Sequence, residues 1–333
     1  MVTLDKIRKP IGADLDAFDE FVVRNFTAEG ELLSDMLRYA LSARGKGIRP
    51  TVVLLAAGLN APVRRERMGQ RAYLAALLVE MIHVASLIHD DVIDETKLRR
   101  GYATVNSIWD NHIAVLVGDF FTATALHHSL NTADIRIAEV ISQLGRQLSL
   151  GEIDQISTAR DHLLSEESYF KIISNKTASL FVSCVRMGAY SVGVDDARLK
   201  LMEDYAELLG LCFQIKDDIF DYFSDEKIGK PTGNDLREGK VTLPLLYALS
   251  RDNRPEQPAM LSLSRKEELT ADEIETLIEY AKSAGGIDYA YATMLRLYHK
   301  ASEILDHLPS DGIAAEAKKD FSELFHFIIN RDH

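Results

Sequence analysis

Only two cysteines, eight prolines and one tryptophan occur in 333 residues. Two thiols cannot build a disulfide framework. Cys184 and Cys212 both sit in apolar helical sequence, as buried thiols of a reducing compartment do. With so few prolines, and 19 glycines spread thinly, no Pro- or Ser-rich linker divides the chain. The polar stretches Asp252–Gln257 and Pro309–Gly312 suit short loops between helices, so one domain over residues 1–333 is expected. Basic residues are outnumbered, 38 against 51 acidic, for a net charge of −13. Affinity for nucleic acid comes from neutralising phosphates with Lys and Arg, so this balance argues against that partner. It leaves room for a phosphorylated small molecule, which needs only a local basic lining.

Clean apolar runs are missing too. The nearest, "AYLAALLVEMIHVASLI" at 72–88, is interrupted by Glu80, His83 and Ser86 and falls short of the roughly 20 residues that span a bilayer. A helix apolar almost all round is otherwise a central core helix. The opening residues have no signal-peptide core, and no lipid-anchor motif is present. A cytoplasmic chain with at most peripheral membrane contact is expected.

Strand signals are nearly absent. Apolar residues recur at helical spacing instead, as in "DLDAFDEFVVRNF" and "ELLSDMLRYALSA". "TVVLLAAGL" passes for a strand in isolation but sits among helices. The expected fold is all-α, with about a dozen helices.

What the chain does have is a repeated acidic plan. "HDDVIDETKLRRG" and "KDDIFDYFSDEKIGKPTGND" each close an apolar helix with DDxxD and continue into a polar loop with basic residues and glycine. Positions i and i+4 share a helix face, so Asp90 stacks on Asp94 and Asp217 on Asp221, with Asp91 and Asp218 to the side. His83 lies two turns before Asp90, and Gln214 about one turn before Asp217. Acids at a helix C-terminus oppose the macrodipole and repel one another. Bound Mg²⁺ relieves both, because it takes carboxylate oxygens and completes its shell with water and substrate phosphates. EF-hand and zinc spacings are missing. Lys46 and Arg49 in "RGKGIRP", then Arg99, Arg100, Lys176, Lys230 and Lys240, supply the lining for anionic groups. Taken singly, each would be a surface charge. Together with two carboxylate clusters they suggest two anions, one held through metal and one held directly.

In these motifs the sequence resembles the trans-isoprenyl (polyprenyl) diphosphate synthase family. "GKGIRP", "HDDVIDETKLRRG", "NKTASL", "QIKDDIFD" and "GKPTGNDLREGKVTLPLLYAL" occur in order over residues 40 to 250. The resemblance implies a single large helical bundle of the isoprenoid synthase type with a central cavity. It also implies a homodimer and condensation of isopentenyl diphosphate onto an allylic diphosphate. By the same resemblance, Asp90, Asp91, Asp94, Asp217, Asp218 and Asp221 belong to the metal motifs, with three Mg²⁺ ions expected once substrate is bound. Asp90, Asp94 and Asp217 are the expected direct ligands. Arg99, Lys176, Thr177, Gln214, Lys230 and Lys240 match allylic-side positions, and Lys46, Arg49, His83 and Arg100 match the isopentenyl diphosphate site. "GKGI" stands where many relatives have Gly-Gly-Lys-Arg, which leaves Lys46 and Arg49 in place.

Product length is set behind the first cluster. Ala85 and Ser86, one turn before Asp90, are small, whereas short-chain relatives tend to carry an aromatic there. From Ala72 to Asp90 the helix runs roughly 27 Å, enough to flank about six isoprene units. A product of about six to nine units, suited to quinone side chains, is expected on that length. Rivals are a geranylgeranyl diphosphate synthase, a non-catalytic prenyl-binding subunit of the same fold, a terpene cyclase and an acidic metal scaffold. The second DDxxD disfavours the cyclase, the intact aspartates disfavour the inactive subunit, and the Lys/Arg lining disfavours the scaffold.

Overall fold

Helical periodicity is realised along nearly the whole chain. The computed structural model describes residues 3–25, 30–42, 45, 47–60, 68–194, 196–223, 232–250, 254–308 and 312–331. Its elements begin with α1 (Leu4–Arg8), α2 (Gly12–Asn25), α3 (Glu31–Ser42), α4 (Ile48–Asn60) and α5 (Gln70–Ile93). A small hairpin of β1 (Leu98–Arg99) and β2 (Tyr102–Ala103) follows, then α6 (Val105–Ile108), α7 (Asn111–Leu130), α8 (Ile135–Arg160) and α9 (Glu166–Ile173). After a π-helical turn come α10 (Ser179–Val192), α11 (Asp196–Phe220), α12 (Asn234–Arg237), α13 (Leu243–Leu249) and α14 (Gln257–Leu263). α15 (Ala271–Ser283), α16 (Gly286–Asp306) and α17 (Gly312–Asn330) complete it.

The all-α expectation holds, and "TVVLLAAGL" is helix α4, buried along most of its length. The count exceeds a dozen because short helices such as α1, α6 and α12 carry too few residues to show a period. The hairpin was not anticipated. Its signal is "RG": Arg100 and Gly101 both take positive φ, 54° and 81°, as a two-residue type I′ turn demands.

The helices pack as two compact units, each discontinuous in sequence. One comprises Met1–Arg146, Leu180–Ala206 and Ile304–Leu324; the other comprises Gln147–Ser179, Glu207–Glu303 and Phe325–His333.

The first unit is organised on α5, which packs against α2, α4 and α7. Ala72, Ala75, Ala76, Leu78, Val79 and Met81 are at most 1% exposed, so the apolar run is a core helix as expected. Tyr73 is tied to α2 by its hydroxyl, which donates to the buried Asp14 at 2.7 Å. Where α10 crosses α4, a Cβ on Gly188 would stand 2.3 Å from the Val53 carbonyl oxygen, so only glycine permits that approach.

The second unit is built around α13, which packs against α9, α14 and α15. Leu243, Leu245, Leu277, Ala281 and Ala290 are fully buried there. The Tyr247 and Tyr289 rings stack at 4.1 Å, and the Tyr280 hydroxyl donates to the Ala248 carbonyl at 3.1 Å. Both cysteines are buried and unpaired, Cys184 in the first unit and Cys212 in the second.

Candidate functional site

The first acidic cluster forms because α5 stops there. Asp94 N donates to the Asp90 carbonyl at 2.8 Å and Thr96 N to the Asp91 carbonyl at 2.9 Å, while Glu95 takes a left-handed φ of 50°. Asp90 and Asp94 keep partial solvent exposure, and Asp91 is buried. The hairpin brings Arg99 back over the helix end. Its Nε and Nη2 reach the same Asp91 Oδ1 at 2.8 and 2.7 Å. Burial pushes the Asp91 carboxyl up from its ordinary range, and the bonds from Arg99 partly offset this.

Arg100 points to the glycine loop. A Cβ on Gly45 would stand 2.3 Å from its Nη1, so the guanidinium lies flush against that backbone. Two turns behind Asp90, His83 is 7% exposed and its Nε2 has no hydrogen-bond partner. Burial, then the positive charges of Arg49, Arg100 and Arg99, hold its pKa well below that of a free histidine. A buried imidazole with an unused nitrogen, under the positive charge of three guanidiniums, is an environment that favours an anion. Lys46 lies outside the described residues. Of the residues behind Asp90, Ala85, Ile82 and Val79 are 2%, 3% and 0% exposed. Ser86 is partly exposed, its hydroxyl turned to the His83 carbonyl at 2.9 Å.

In the second unit, Lys176 and Thr177 sit on the π-helical turn Ser174–Ala178. A Cβ on Gly151 would stand 2.7 Å from Lys176 Cγ, so α8 can receive the lysine stem only because glycine stands there. Lys176 pairs with Glu152 and donates to Gln155 Oε1 at 3.2 Å. The second cluster closes α11. Asp218 is buried with both oxygens taken: Tyr169 donates to Oδ2 at 2.5 Å and Gln214 to Oδ1 at 2.8 Å. Thr177 donates to Gln214 Oε1 at 2.7 Å. Asp221 accepts the backbone N–H groups of Asn234 and Asp235, each at 3.0 Å. Asp217 Oδ1 is met by Arg331 at 2.5 Å, and Lys240 pairs with Glu238 at 2.6 Å. Burial pushes the Asp218 and Asp235 carboxyls up, and each is raised further by neighbouring acids. Lys230 lies outside the described residues.

The six aspartates therefore differ in kind. Asp91, Asp218 and Asp221 spend their oxygens on protein donors and fix local geometry. Asp90, Asp94 and Asp217 are partly exposed, as Asp221 is, and Asp217 Oδ1 also meets Arg331. The two motifs offer oxygen donors only, which fits Mg²⁺ rather than a softer ion. Among the described residues, no three His, Cys, Asp or Glu side chains are already gathered as a metal cage. Spacing did not reveal Tyr169, Glu152, Asp235 or Arg331. Tyr169, two turns before Lys176 in "SYFKIISNK", carried a usable signal; Arg331 carried none.

Comparison with known proteins agrees with these motifs. The sequence profile described as Polyprenyl synthetase matches residues 30–281, which run through both compact units. Octaprenyl diphosphate synthase of Escherichia coli (strain K12) is 32% identical over 332 residues, 99% of this chain and 100% of that protein. Heptaprenyl diphosphate synthase component 2 of Bacillus subtilis (strain 168) is 35% identical over 297 residues, 89% of this chain and 83% of that one. Among solved structures, polyprenyl synthase from Caulobacter crescentus CB15, complexed with calcium and isoprenyl diphosphate, is similar at a TM-score of 0.88 and 30% identity. The match covers 99% of this chain and 98% of that one.

Proposed function

Because this chain belongs to the polyprenyl synthetase family, we propose that it is a trans-polyprenyl diphosphate synthase. It extends an allylic diphosphate with isopentenyl diphosphate to a product of medium or long chain. The observation that carries this is the grouping of His83, Arg49, Arg99 and Arg100, set on and beside the helix that ends in Asp90 and Asp94. His83 shares α5 with the first acidic cluster, and the three arginines approach it from α4 and the hairpin.

The chemistry is ionisation, condensation and elimination. The C1–O bond of the allylic diphosphate breaks with its electrons leaving on pyrophosphate. Asp90 and Asp94 in the first unit, and Asp217 in the second, would hold Mg²⁺, which would supply charge neutralisation for the leaving group. Lys176, Thr177, Gln214 and Lys240, with Lys230, hold and stabilise that pyrophosphate. Arg49 and Arg100, with Lys46 and the neutral His83, hold the second diphosphate. The isopentenyl double bond then attacks the allylic cation, and a proton is lost to the departing pyrophosphate. Packed apolar helices exclude the water that would quench the cation.

We further propose one synthase domain over residues 1–333, a homodimer and a cytoplasmic location. The span of the family match supports the first, and two buried, unpaired cysteines support the last. α7 supports the dimer: it exposes Val115, Leu116, Leu126 and Leu130, and only 33% of its apolar stretch is buried. A second copy covers such a face; sedimentation of a Leu116→Glu variant as monomer, against dimeric parent protein, is the expected check.

Radiolabelled isopentenyl diphosphate, farnesyl diphosphate and Mg²⁺ test the activity, with products dephosphorylated and sized. The expected product has about six or more units, from the length of α5. A product stopping at four identifies a geranylgeranyl diphosphate synthase, and a cyclic hydrocarbon or no product overturns the proposal.

A further inference from the structure

Several charged groups of the site meet an internal counter-charge: Asp91 meets Arg99, Lys176 meets Glu152, Lys240 meets Glu238 and Asp217 meets Arg331. The last pair is unlike the others. Arg331, the first residue past α17, has a side chain only 11% exposed, against 42% for Asp217. One Nη lies 2.5 Å from Asp217 Oδ1 and 3.1 Å from the Phe213 carbonyl oxygen. The guanidinium stacks over the Phe213 ring at 4.1 Å and approaches the Phe220 ring at 5.6 Å. Its Nε is buried with no hydrogen-bond partner.

A guanidinium that has surrendered water and leaves an N–H unsatisfied is held at a cost. Its bonds to Asp217 and the two aromatic faces offset that cost. If Asp217 is a metal ligand, as the proposed function has it, the same carboxylate must serve two cations. A divalent ion and a guanidinium on one oxygen repel strongly at contact distance. A divalent ion that takes Oδ1 therefore displaces the guanidinium.

We propose that Arg331 is the resident cation of Asp217, exchanged for a divalent metal when the site loads. This inference rests on the reading of Asp217 as a metal ligand. By linkage, whatever Arg331 contributes to the metal-free protein is subtracted from metal affinity, and metal binding releases the end of α17 by the same amount. The exchange makes Asp217 a poor metal site until a diphosphate adds its own negative charge. Metal alone therefore loads more weakly than metal together with a diphosphate.

The test uses the full-length protein and Mn²⁺ alone as probe, with free ion counted by electron paramagnetic resonance. Arg331→Gln is expected to tighten Mn²⁺ binding about three- to fivefold, the scale of a partly exposed ion pair. It should also lower the melting temperature in EDTA, and Arg331→Lys should behave as the parent protein does. In an Asp217→Asn background, where Mn²⁺ binding is already weakened, Arg331→Gln should change nothing. Unchanged or weaker Mn²⁺ binding by Arg331→Gln, with Asp217→Asn still weakening it, overturns the exchange alone. Unchanged binding by Asp217→Asn overturns the metal reading of Asp217 and the exchange with it. Hydrogen exchange on the parent protein gives a readout that needs no variant. Amides in the last turn of α17 should lose protection at saturating Mn²⁺, and unaltered protection there overturns the proposal.

Discussion

Tyr169 donates its hydroxyl to one oxygen of the buried Asp218 at 2.5 Å, while Gln214 serves the other oxygen at 2.8 Å. The acid is thus a hub joining α9, α11 and, through Gln214, the π-helical turn that carries Thr177. Tyr169→Phe leaves a buried carboxylate oxygen short of a donor, a loss of about 1–3 kcal/mol. We expect that much lower unfolding free energy in urea, with a rise in KM for the allylic diphosphate. Asp218→Asn should be milder than Tyr169→Phe: its amide nitrogen can donate to the Tyr169 hydroxyl oxygen while its carbonyl accepts from Gln214, which keeps its bond to Thr177.

Asp91 and its neighbours Asp90 and Asp94 should separate in kinetics. Asp91 grips Arg99 with one oxygen and is buried, whereas Asp90 and Asp94 keep solvent access. Asp91→Ala misplaces the Arg99 guanidinium, which on the proposed function holds diphosphate. A lost hydrogen bond to a charged group is worth about 1.5–3 kcal/mol, so KM for the allylic substrate should rise about tenfold or more. Asp90→Ala or Asp94→Ala should instead lower kcat by orders of magnitude if, as proposed, these carboxylates hold the metal. Steady-state kinetics with each substrate varied in turn decides between these outcomes.

Much of this site was legible because helices report themselves through period and because DDxxD repeats along the chain. The motif spacing pointed to the two aspartate clusters, and the family resemblance added the roles of Lys176 and Thr177. What spacing could not reveal was the division of labour among the aspartates. That depends on partners remote in sequence: Tyr169 for Asp218, the 234–235 backbone for Asp221, Arg331 for Asp217. The Arg100–Gly101 turn was a local signal of another sort, two residues long and lost among helical periods. Gly45 and Gly151 look alike in sequence to any other glycine; only the approach of Arg100 and Lys176 explains them.

Asp320 on α17 predicts a pH dependence of stability. It is 9% exposed, and burial followed by repulsion from Glu323 pushes its carboxyl up to about 6, with Lys319 opposing. A pKa raised in the folded state contributes stability that is fully present below about pH 4, the unfolded value. It is lost as pH rises through about 6. Asn mimics the protonated form. Asp320→Asn should therefore melt above the parent protein at about pH 8 and match it near pH 4. A difference independent of pH would show that the acid is neutralised by some other group.

Ser86 is the place to shorten the product. If the product grows back along α5 from Asp90, as the proposed function has it, the side chains one turn behind that aspartate meet it first. Ala85 is buried at 2% exposure, so Ala85→Tyr would overpack the core at a cost of about 1–3 kcal/mol or more and confuse stability with specificity. Ser86 keeps exposed surface, and its hydroxyl folds back on the helix, so it adds no bulk to the path. Ser86→Tyr should leave the protein folded and the first condensations intact while truncating the product by several units. Chain sizing after dephosphorylation measures this directly, and circular dichroism confirms the fold. If the variant still made the full-length product, the chain would have to leave the site along another face of α5, and the length of the helix would no longer limit it.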